Sequence, residues 1–532
     1  MPSRARASHL MAQEWLFFGL VVLVFALFTI GLGEGVSWDF RNYHWYGPYA
    51  FLTGRENIDV AVAHQATYYN PFLDIPYYWL ATHFPSWVAV GALGAAQGLN
   101  VVPIYLMARS VLRSEEKRIL AGVIALVCMT GGLSLSLAGT TYYDNILSVF
   151  TLGGLALLVC NREKLATSAW TVGASLAALA GLMTGAAMGL KLPEAPFALG
   201  FAGALIALPG DAKRRMTRVA AGGIAGAIGV ALTGGYWMLH LAHVTGNPLF
   251  PYFNQFFHSP LALAASYRDM RYLQHDLWHA ILYPLLFSID WRVADDLGFS
   301  DIRVGIAYVV LIASGAMWLI KKRSSDPLAD PEGARALFAF WIVSYLAWLL
   351  VFGIYRYIIT LEMLSPLVTV AALGQWKLTR RARLTALGAL GVLALVCTGT
   401  SDMARAPLGD PYVQVKMRKI PDPDHTIILM TGEAPMGYIV PSLPHQIPVL
   451  RIDGWMIQPQ DGSELTARTK ARVKAFKGDL FLMADAYELD RARTALADYG
   501  LAIRWLECGD IKTNMGDDLQ LCPLARKGGA KP

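Results

Sequence analysis

The sequence predicts a polytopic α-helical membrane protein with a small C-terminal α/β domain, on three observations. Of the 532 residues, 55% are hydrophobic and only 16% are charged, whereas about a quarter are charged in soluble domains. Apolar runs long enough to cross a hydrocarbon core of about 30 Å recur along residues 1–400. Residues 401–532 instead alternate short apolar stretches with polar segments, which is typical of a small α/β fold.

About eleven apolar runs are candidate transmembrane helices. The first, residues 15–32, follows Arg4 and Arg6 and lacks a small-residue cleavage site, which predicts a retained helix rather than a removed signal peptide. We therefore expect a transmembrane domain over residues 1–400 and an extracytoplasmic domain over residues 401–532. The remaining runs lie near residues 86–108, 118–138, 143–160, 169–190, 194–208, 218–240, 302–320, 336–353, 357–375 and 384–400.

The basic residues of the short loops predict the orientation of the chain. Lys and Arg are disfavoured in translocated loops, and with a cytoplasmic N-terminus every second loop holds a basic cluster. The short loops predicted outside are nearly free of basic residues and keep only isolated cations such as Lys191 and Arg356. This alternation also explains the net charge of +6, so we do not expect nucleic-acid binding. The inside clusters are Arg109, Arg113, Lys117 and Arg118; Arg162 and Lys164; Lys213, Arg214, Arg215 and Arg218; Lys321, Lys322, Arg323 and Arg335; and Lys377, Arg380, Arg381 and Arg383.

The outer side is predicted to carry more than short turns. Two long outer loops, about residues 33–85 and 241–301, are rich in aromatic residues and His, and we expect short amphipathic helices in the membrane interface there. An odd number of spans exports the tail, where Cys508 and Cys522 could pair in an oxidising compartment. No cysteine spacing indicates a zinc site.

The first candidate site follows the first span, in the aromatic stretch that runs from residue 37 to residue 46. Asp39 at the membrane surface could act as a general base or a metal ligand, with Arg41, Tyr43 and His44 beside it and His64 further along the loop. The alternative is an interfacial aromatic belt in which Asp39 and Arg41 merely pair.

A second acid and a lone cation lie on the same predicted side. Asp144, in the short outer turn between the third and fourth spans, could assist Asp39, or it could be an N-cap of the fourth helix. Lys191, where the fifth span ends, could neutralise a phosphate or could snorkel to the interface.

The last candidates lie at the outer start of the tenth span. Arg356 offers a planar, permanently charged fork for a phosphate, and Tyr357 follows it. Glu362 lies about six residues deeper and needs an internal partner, for which Lys191 or Arg356 are candidates, so a structural ion pair is the alternative.

These residues, in this order on a positive-inside scaffold, resemble the GT-C membrane glycosyltransferases that use polyprenyl-phosphate sugars. That family includes bacterial relatives of protein mannosyltransferases and the lipid A aminoarabinose transferases. The resemblance covers roughly residues 13–400 and includes the Gly-Asn-Pro-Leu-Phe-Pro turn at residues 246–251. It implies that Asp39 is the catalytic base, that Asp144 is the second acid, and that Lys191 and Arg356, with Arg41, bind the donor phosphate.

The function that the resemblance implies is sugar transfer from a polyprenyl-phosphate donor to a lipid, glycan or protein acceptor. The expected location is the outer face of a bacterial inner membrane, with Tyr43, His44, His64, Tyr357 and Glu362 contacting substrate. A divalent cation held by Asp39, Asp144 and His64 is the only cofactor considered, and the sequence does not fix it. Three alternatives stay open: a flippase of lipid-linked sugars, a polymerase or ligase of polyprenyl-diphosphate glycans, and a non-catalytic assembly protein.

Overall fold

The computed structural model describes residues 4–320, 324–401 and 403–527, with side chains described from residue 11. Within these residues the chain divides into two compact units, each built from separated segments. The membrane unit comprises Met1–Leu32, Val90–Gly235 and Asp269–Met403, and the sheet unit comprises Gly33–Ala89, Tyr236–Arg268 and Ala404–Pro532. The predicted loop cations Lys321, Lys322 and Arg323, and the side chains of Arg4 and Arg6, lie outside the described residues.

The membrane unit is built from α-helices. Among the described residues, six helices are long and apolar enough to cross a membrane by length and composition, and shorter apolar helices accompany them, which confirms a polytopic helical protein. The α-helices of the described part of the chain are α1 (Arg4–Leu32), α2 (Tyr46–Thr53), α3 (Ile75–His83), α4 (Ser86–Gly98), α5 (Val101–Val111), α6 (Lys117–Cys128), α7 (Gly132–Ser136), α8 (Asp144–Cys160), α9 (Arg162–Thr167), α10 (Trp170–Leu190), α11 (Ala195–Ala207), α12 (Ala212–Val230), α13 (Tyr236–Thr245), α14 (Asn254–Phe257), α15 (Leu277–Ile289), α16 (Arg303–Leu319), α17 (Pro331–Val351), α18 (Ile359–Leu373), α19 (Arg380–Val396), α20 (Glu464–Ala475) and α21 (Leu489–Ala497).

Helices α10 and α12 pack through glycines. A Cβ placed on Gly181 would lie 2.1 Å from the carbonyl oxygen of Gly222, and one on Gly185 would lie 2.0 Å from that of Gly226. Backbones this close leave no room for a side chain. Small residues four apart are the pattern by which membrane helices approach one another, because lipid supplies no hydrophobic drive for association.

The predicted span 118–138 is broken rather than continuous. Helix α6 ends at Cys128 and the short α7 begins at Gly132. A Cβ on Gly131 would lie 1.9 Å from the Glu362 carboxylate, so the break makes room for that buried acid. Glu362 accepts hydrogen bonds from the backbone N–H of Ser134 (2.9 Å) and Leu133 (3.4 Å). Both N–H groups lie in the first turn of α7, where the helix itself offers them no acceptor.

A mixed seven-stranded sheet forms the core of the sheet unit. The order is β3–β8–β9–β6–β4–β5, and β7 pairs with β9. Strands β5, β4 and β6 are parallel, whereas β9 is antiparallel to β6. The four apolar stretches of the tail, residues 426–430, 449–452, 479–483 and 501–506, each contain a strand. The strands are β1 (Glu34–Gly35), β2 (Arg405–Ala406), β3 (Val415–Lys416), β4 (Thr426–Met430), β5 (Val449–Arg451), β6 (Asp479–Asp485), β7 (Leu501–Ile503), β8 (Gly509–Thr513) and β9 (Leu519–Arg526).

The first outer loop, which contains the short helices α2 and α3, folds as part of the sheet unit. Val60 forms a parallel bridge beside β5: its N–H donates to Val449 (3.0 Å) and its carbonyl accepts from Arg451 (2.9 Å). The buried ion pair between Arg55 and Asp59 (2.7 Å) stabilises the same edge of the sheet, because Asp59 also accepts a hydrogen bond from the Val449 N–H. This division therefore differs from the expected boundary at residue 400, since residues 33–89 fold with the tail.

Candidate active site

Asp144 and Lys191 form an ion pair in the membrane unit. The Lys191 ammonium donates to Asp144 Oδ1 (2.6 Å) and to the carbonyl of Tyr142 (2.8 Å). Asp144 is the first residue of α8, its side chain makes no cap, and the N-cap position belongs to Tyr143, so the N-cap alternative is wrong. Lys191 directly follows α10 and has a carboxylate partner rather than only solvent.

Arg356 and Tyr357 join this pair through aromatic rings. The Arg356 guanidinium lies 4.5 Å from the ring centroid of Tyr142 and 5.3 Å from that of Tyr357. The Lys191 ammonium is 5.5 Å from the Tyr357 centroid. The structure thus brings together four of the predicted residues, Asp144, Lys191, Arg356 and Tyr357, around Tyr142. We call these five residues the cation cluster.

The charged side chains of the cation cluster are largely shielded from solvent. The side chain of Asp144 is 4% exposed and that of Lys191 is 19% exposed. Buried acids lie around them, since Glu194 interacts electrostatically with Asp144 and Lys191, and Asp295 with Arg356. The Oδ2 atom of Asp144 is buried and has no hydrogen-bond partner among the described residues. An ammonium and a guanidinium beside aromatic faces are suited to a phosphate, because both form charge-assisted hydrogen bonds with its oxygens.

Two residues at this site, Tyr142 and Asp295, were not among the candidates from sequence. Tyr142 lies in the short turn Thr-Thr-Tyr-Tyr-Asp-Asn at residues 140–145, and nothing local in the sequence indicates that its ring meets the distant Arg356. Asp295 accepts the backbone N–H of Arg356 (2.8 Å) and so fixes the start of that segment. Burial raises the pKa of Asp295, and the positive charge of Arg356 opposes that rise.

Glu362 has a different partner from either cation proposed for it. Its carboxylate bonds to the N-terminus of α7, and Asp301 and Arg303 form the buried ion pair nearby. The Lys191 ammonium donates to Asp144 and to the carbonyl of Tyr142 instead. Because Glu362 is fully buried and holds a broken helix together, its structural reading is favoured over substrate contact.

The remaining predicted residues belong to the sheet unit. Asp39 is half-buried and directly precedes a π-helical turn, Phe40–His44. Arg41 forms an ion pair with Asp517, which also accepts from the Tyr438 hydroxyl. The carboxylate in this ion pair belongs to Asp517 of the C-terminal tail, whereas the alternative reading of the sequence paired Arg41 with Asp39. Its expected role in binding phosphate would require that pair to open.

The histidines of the first loop are engaged in the interior. His44 Nδ1 lies 2.7 Å from the Asp74 carboxylate, and the Tyr43 ring lies 4.0 Å from the His44 ring. His64 is fully buried, and its Nδ1 accepts the backbone N–H of Trp455 (3.2 Å). Substrate contact by His64, as expected from sequence, does not fit a side chain held in this way.

The suggested metal site does not fit the geometry either. Asp144 Oδ1 binds Lys191, and His64 Nδ1 is occupied by a backbone N–H. Across residues 4–320, 324–401 and 403–527, no group of three or more His, Cys, Asp or Glu side chains is arranged to hold a metal ion.

Two solved structures are similar to this chain, and both are of ArnT from Cupriavidus metallidurans. The structure bound to undecaprenyl phosphate is 12% identical, with a TM-score of 0.41, and the apo structure is 13% identical, with a TM-score of 0.44. Each match covers 96% of this chain and 98% of the other. No protein-family model and no curated protein gives a significant match.

Proposed function

We propose that this protein is a membrane glycosyltransferase that moves a sugar from a polyprenyl-phosphate donor to an acceptor hydroxyl on the outer face of the membrane. The observation that carries the proposal is the cation cluster. Lys191 and Arg356 both lie against the ring of Tyr357, and Arg356 also lies against that of Tyr142. Lys191 directly follows α10, and Arg356 is near the start of the apolar segment Tyr355–Leu373.

A phosphate carried on a lipid suits this location. Cations at the ends of apolar helices are costly unless an anion meets them, and Lys191 is still 19% exposed beside its partner Asp144. A polyprenyl phosphate would bring its anion to the polar end of the helices while its isoprenoid chain stays in the hydrocarbon region. The ammonium of Lys191 and the guanidinium of Arg356 would then donate charge-assisted hydrogen bonds to its oxygens.

The orientation of the site supports the donor class. The basic loops alternate as expected for a cytoplasmic N-terminus, and Cys508 and Cys522 form a disulfide, the bond that persists in oxidising compartments. Nucleotide sugars are cytosolic and too highly charged to cross a membrane unaided. A site on the outer side would therefore use a sugar delivered on a lipid.

The proposed reaction is a single displacement. Asp39 takes the proton of the acceptor hydroxyl as the oxygen of that hydroxyl forms a bond to the anomeric carbon of the donor sugar. The bond between that carbon and the phosphate oxygen breaks, and the electron pair leaves with the polyprenyl phosphate. Lys191 and Arg356 stabilise the negative charge that develops on the leaving phosphate. Direct displacement inverts the anomeric centre, and Asp39 then returns its proton to water.

The test is transfer of a radiolabelled sugar by purified protein in lipid. Synthetic polyprenyl-monophosphate donors and the matching nucleotide sugars are supplied in parallel, with a membrane extract as the source of acceptor. We expect transfer only from the lipid donors. Transfer from nucleotide sugars alone, or from a polyprenyl diphosphate glycan alone, would contradict the proposal.

A matched pair of arginine variants tests the phosphate role. Arg356→Lys removes the planar fork and should raise the KM for the lipid donor by roughly tenfold or more. Arg271→Lys is the control, because Arg271 is exposed and its guanidinium also lies against a tyrosine ring, 5.2 Å from the centroid of Tyr272. Equal KM values for the two variants would remove Arg356 from donor binding.

A further inference from the structure

The sheet unit carries a second polar constellation, at the carboxyl ends of its parallel strands. Gly432 and Glu433 follow β4, Asp453 and Trp455 follow β5, and Glu488 follows β6. In open α/β sheets, ligands bind outside this edge, at the point where the connections diverge to either side of a central strand. Strand β4 is that strand, since β5 pairs with one side of it and β6 with the other.

Backbone hydrogen bonds fix the loop after β4. Glu488 accepts the N–H groups of Glu433 (2.8 Å) and Ala434 (3.1 Å), and Asp453 accepts that of Gly432 (3.2 Å). Gly432 has φ +86°, and a Cβ there would lie 2.0 Å from the Glu488 carboxylate. The loop is therefore preorganised before any ligand arrives.

An exposed charged fork stands on this loop. Arg491 donates to Glu433 (2.7 Å) and to Asp453 (2.6 Å). The side chains of Arg491 and Glu433 are 35% and 44% exposed, so solvent and solutes reach both. Hydrogen bonds from Arg491 keep the pKa of Glu433 below its usual range, and the pair stays ionised at neutral pH.

An aromatic face lies beside the fork. The Trp455 ring stacks with Trp38 at 4.8 Å and with His64 at 5.1 Å, yet Trp455 remains 47% exposed. Gly454 permits this packing, because a Cβ there would lie 2.5 Å from the His64 ring. Three stacked rings hold the indole rigidly, so little side-chain entropy is lost when a ligand packs on it.

We propose that Trp455, Glu433 and Arg491 form a carbohydrate-binding subsite that holds the sugar of the acceptor. A rigid indole offers an apolar face for the C–H groups of a pyranose ring, and the ionised fork offers both donors and acceptors for its hydroxyls. The ligand is uncharged where it contacts the fork, because Arg491 is already shared by two carboxylates.

The placement connects this subsite with the proposed base. Trp38 stacks on Trp455 and immediately precedes Asp39 in the chain. A sugar on the indole would thus have its hydroxyls near the segment that carries Asp39. The inference rests on the proposed function, because it assigns the acceptor of that reaction to the glycan-bearing class.

The experiment measures glycan binding by the full-length protein in lipid nanodiscs. The probe is the pool of oligosaccharides that mild acid releases from the envelope of the source cells. Its binding is measured by equilibrium dialysis. Trp455→Ala should weaken binding at least tenfold, whereas Trp505→Ala should leave it unchanged. Trp505 is the matched control, as it lies in the same unit and is 49% exposed. Trp455→Phe keeps an aromatic face and should bind within a few fold of the unaltered protein.

The outcomes separate this inference from the proposed function. Absence of binding up to millimolar oligosaccharide, or equal binding by Trp455→Ala, overturns the inference. Transfer from polyprenyl-phosphate donors with an unchanged acceptor KM in Trp455→Ala also overturns it, while the proposed function stands. Binding that depends on Trp455 in a protein that transfers from no polyprenyl-phosphate donor overturns the proposed function and with it the acceptor role.

Discussion

The partner of a charged side chain decides what that side chain can do. The Lys191 ammonium is bonded to Asp144, a buried carboxylate, so it both neutralises that acid and adds positive charge near Arg356. The two roles can be tested separately. Neutralising Asp144 requires only that no unpaired charge stays buried, whereas stabilising a phosphate requires a cation at position 191.

A double variant separates the roles. Lys191→Ala alone leaves the Asp144 carboxylate buried and unpaired, which should lower the free energy of unfolding by about 3–5 kcal/mol. Asp144→Asn combined with Lys191→Met should recover most of that stability, measured as the thermal midpoint in nanodiscs. Sugar transfer should stay low in the double variant. Full recovery of transfer would show that Lys191 is structural only.

His64 gives the sheet unit a pH dependence. Burial, with the positive charge of Arg451, lowers the pKa of His64 well below its usual range. The folded protein thus binds this proton less readily than the unfolded chain. The stability contributed by neutral His64 is fully present above about pH 6.5 and is lost as pH falls toward the folded pKa.

Thermal unfolding between pH 4.5 and 8 tests this assignment. The unaltered protein should lose stability below about pH 6.5, and His64→Gln should lose less over that interval because it lacks the titrating ring. His425→Gln is the control, since His425 is an exposed histidine of the same unit. A His64→Gln variant with the full acid slope would assign that slope to other groups.

The sequence identified the chemistry of several site residues but not their partners. Lys191 and Arg356 stand out because a lone cation in an apolar setting is rare and costly. Their partners lie far along the chain: Lys191 meets Asp144 across 47 positions, and Glu362 meets Ser134 across 228. No local pattern encodes such contacts. The engaged state of His64 is invisible in sequence for the same reason.

At the scale of elements, helix contacts follow small residues. Gly185→Ala would place a methyl against the carbonyl of Gly226, and forcing α10 from α12 should cost about 1–3 kcal/mol. Gly223→Ala on α12 is the control, since a Cβ there meets nothing within 4 Å. The thermal midpoint should fall for Gly185→Ala only, and equal midpoints would contradict the close packing.

The periodicity of the sequence predicted most elements but not their interruptions. The tail strands at 426–430, 449–451 and 479–485 match apolar stretches, because a strand buried on both faces reads as a continuous apolar run. The break after Cys128 lies within an apolar run and depends on the remote acids Asp301 and Glu362. Composition within a window cannot show it.

At the scale of the whole molecule, the linear order of the chain does not match its compact units. A boundary at residue 400 follows the change in composition, yet residues 33–89 and 236–268 fold with the tail. The reason is hydrogen bonding: Val60 extends the sheet at β5, and the β1–β2 pairing joins Glu34 to Ala406. Loop length alone did not reveal these pairings.

The orientation of the chain is a prediction with a direct test. Alkaline phosphatase fused after the last residue is active only outside the cytoplasm, whereas green fluorescent protein fused there fluoresces only inside. The basic loops and the Cys508–Cys522 disulfide lead us to expect an active phosphatase fusion and a dark fluorescent one. The opposite pattern would place the proposed site on the cytoplasmic side.

The most direct test of the central claim is sugar transfer from a synthetic polyprenyl-monophosphate donor by the unaltered protein and by Asp39→Asn, at matched folding and matched binding of polyprenyl phosphate. We expect transfer by the unaltered protein and a loss of at least a hundredfold in kcat for Asp39→Asn, as removal of a general base produces. Equal rates would remove Asp39 from the chemistry, and no transfer by the unaltered protein would contradict the glycosyltransferase assignment itself.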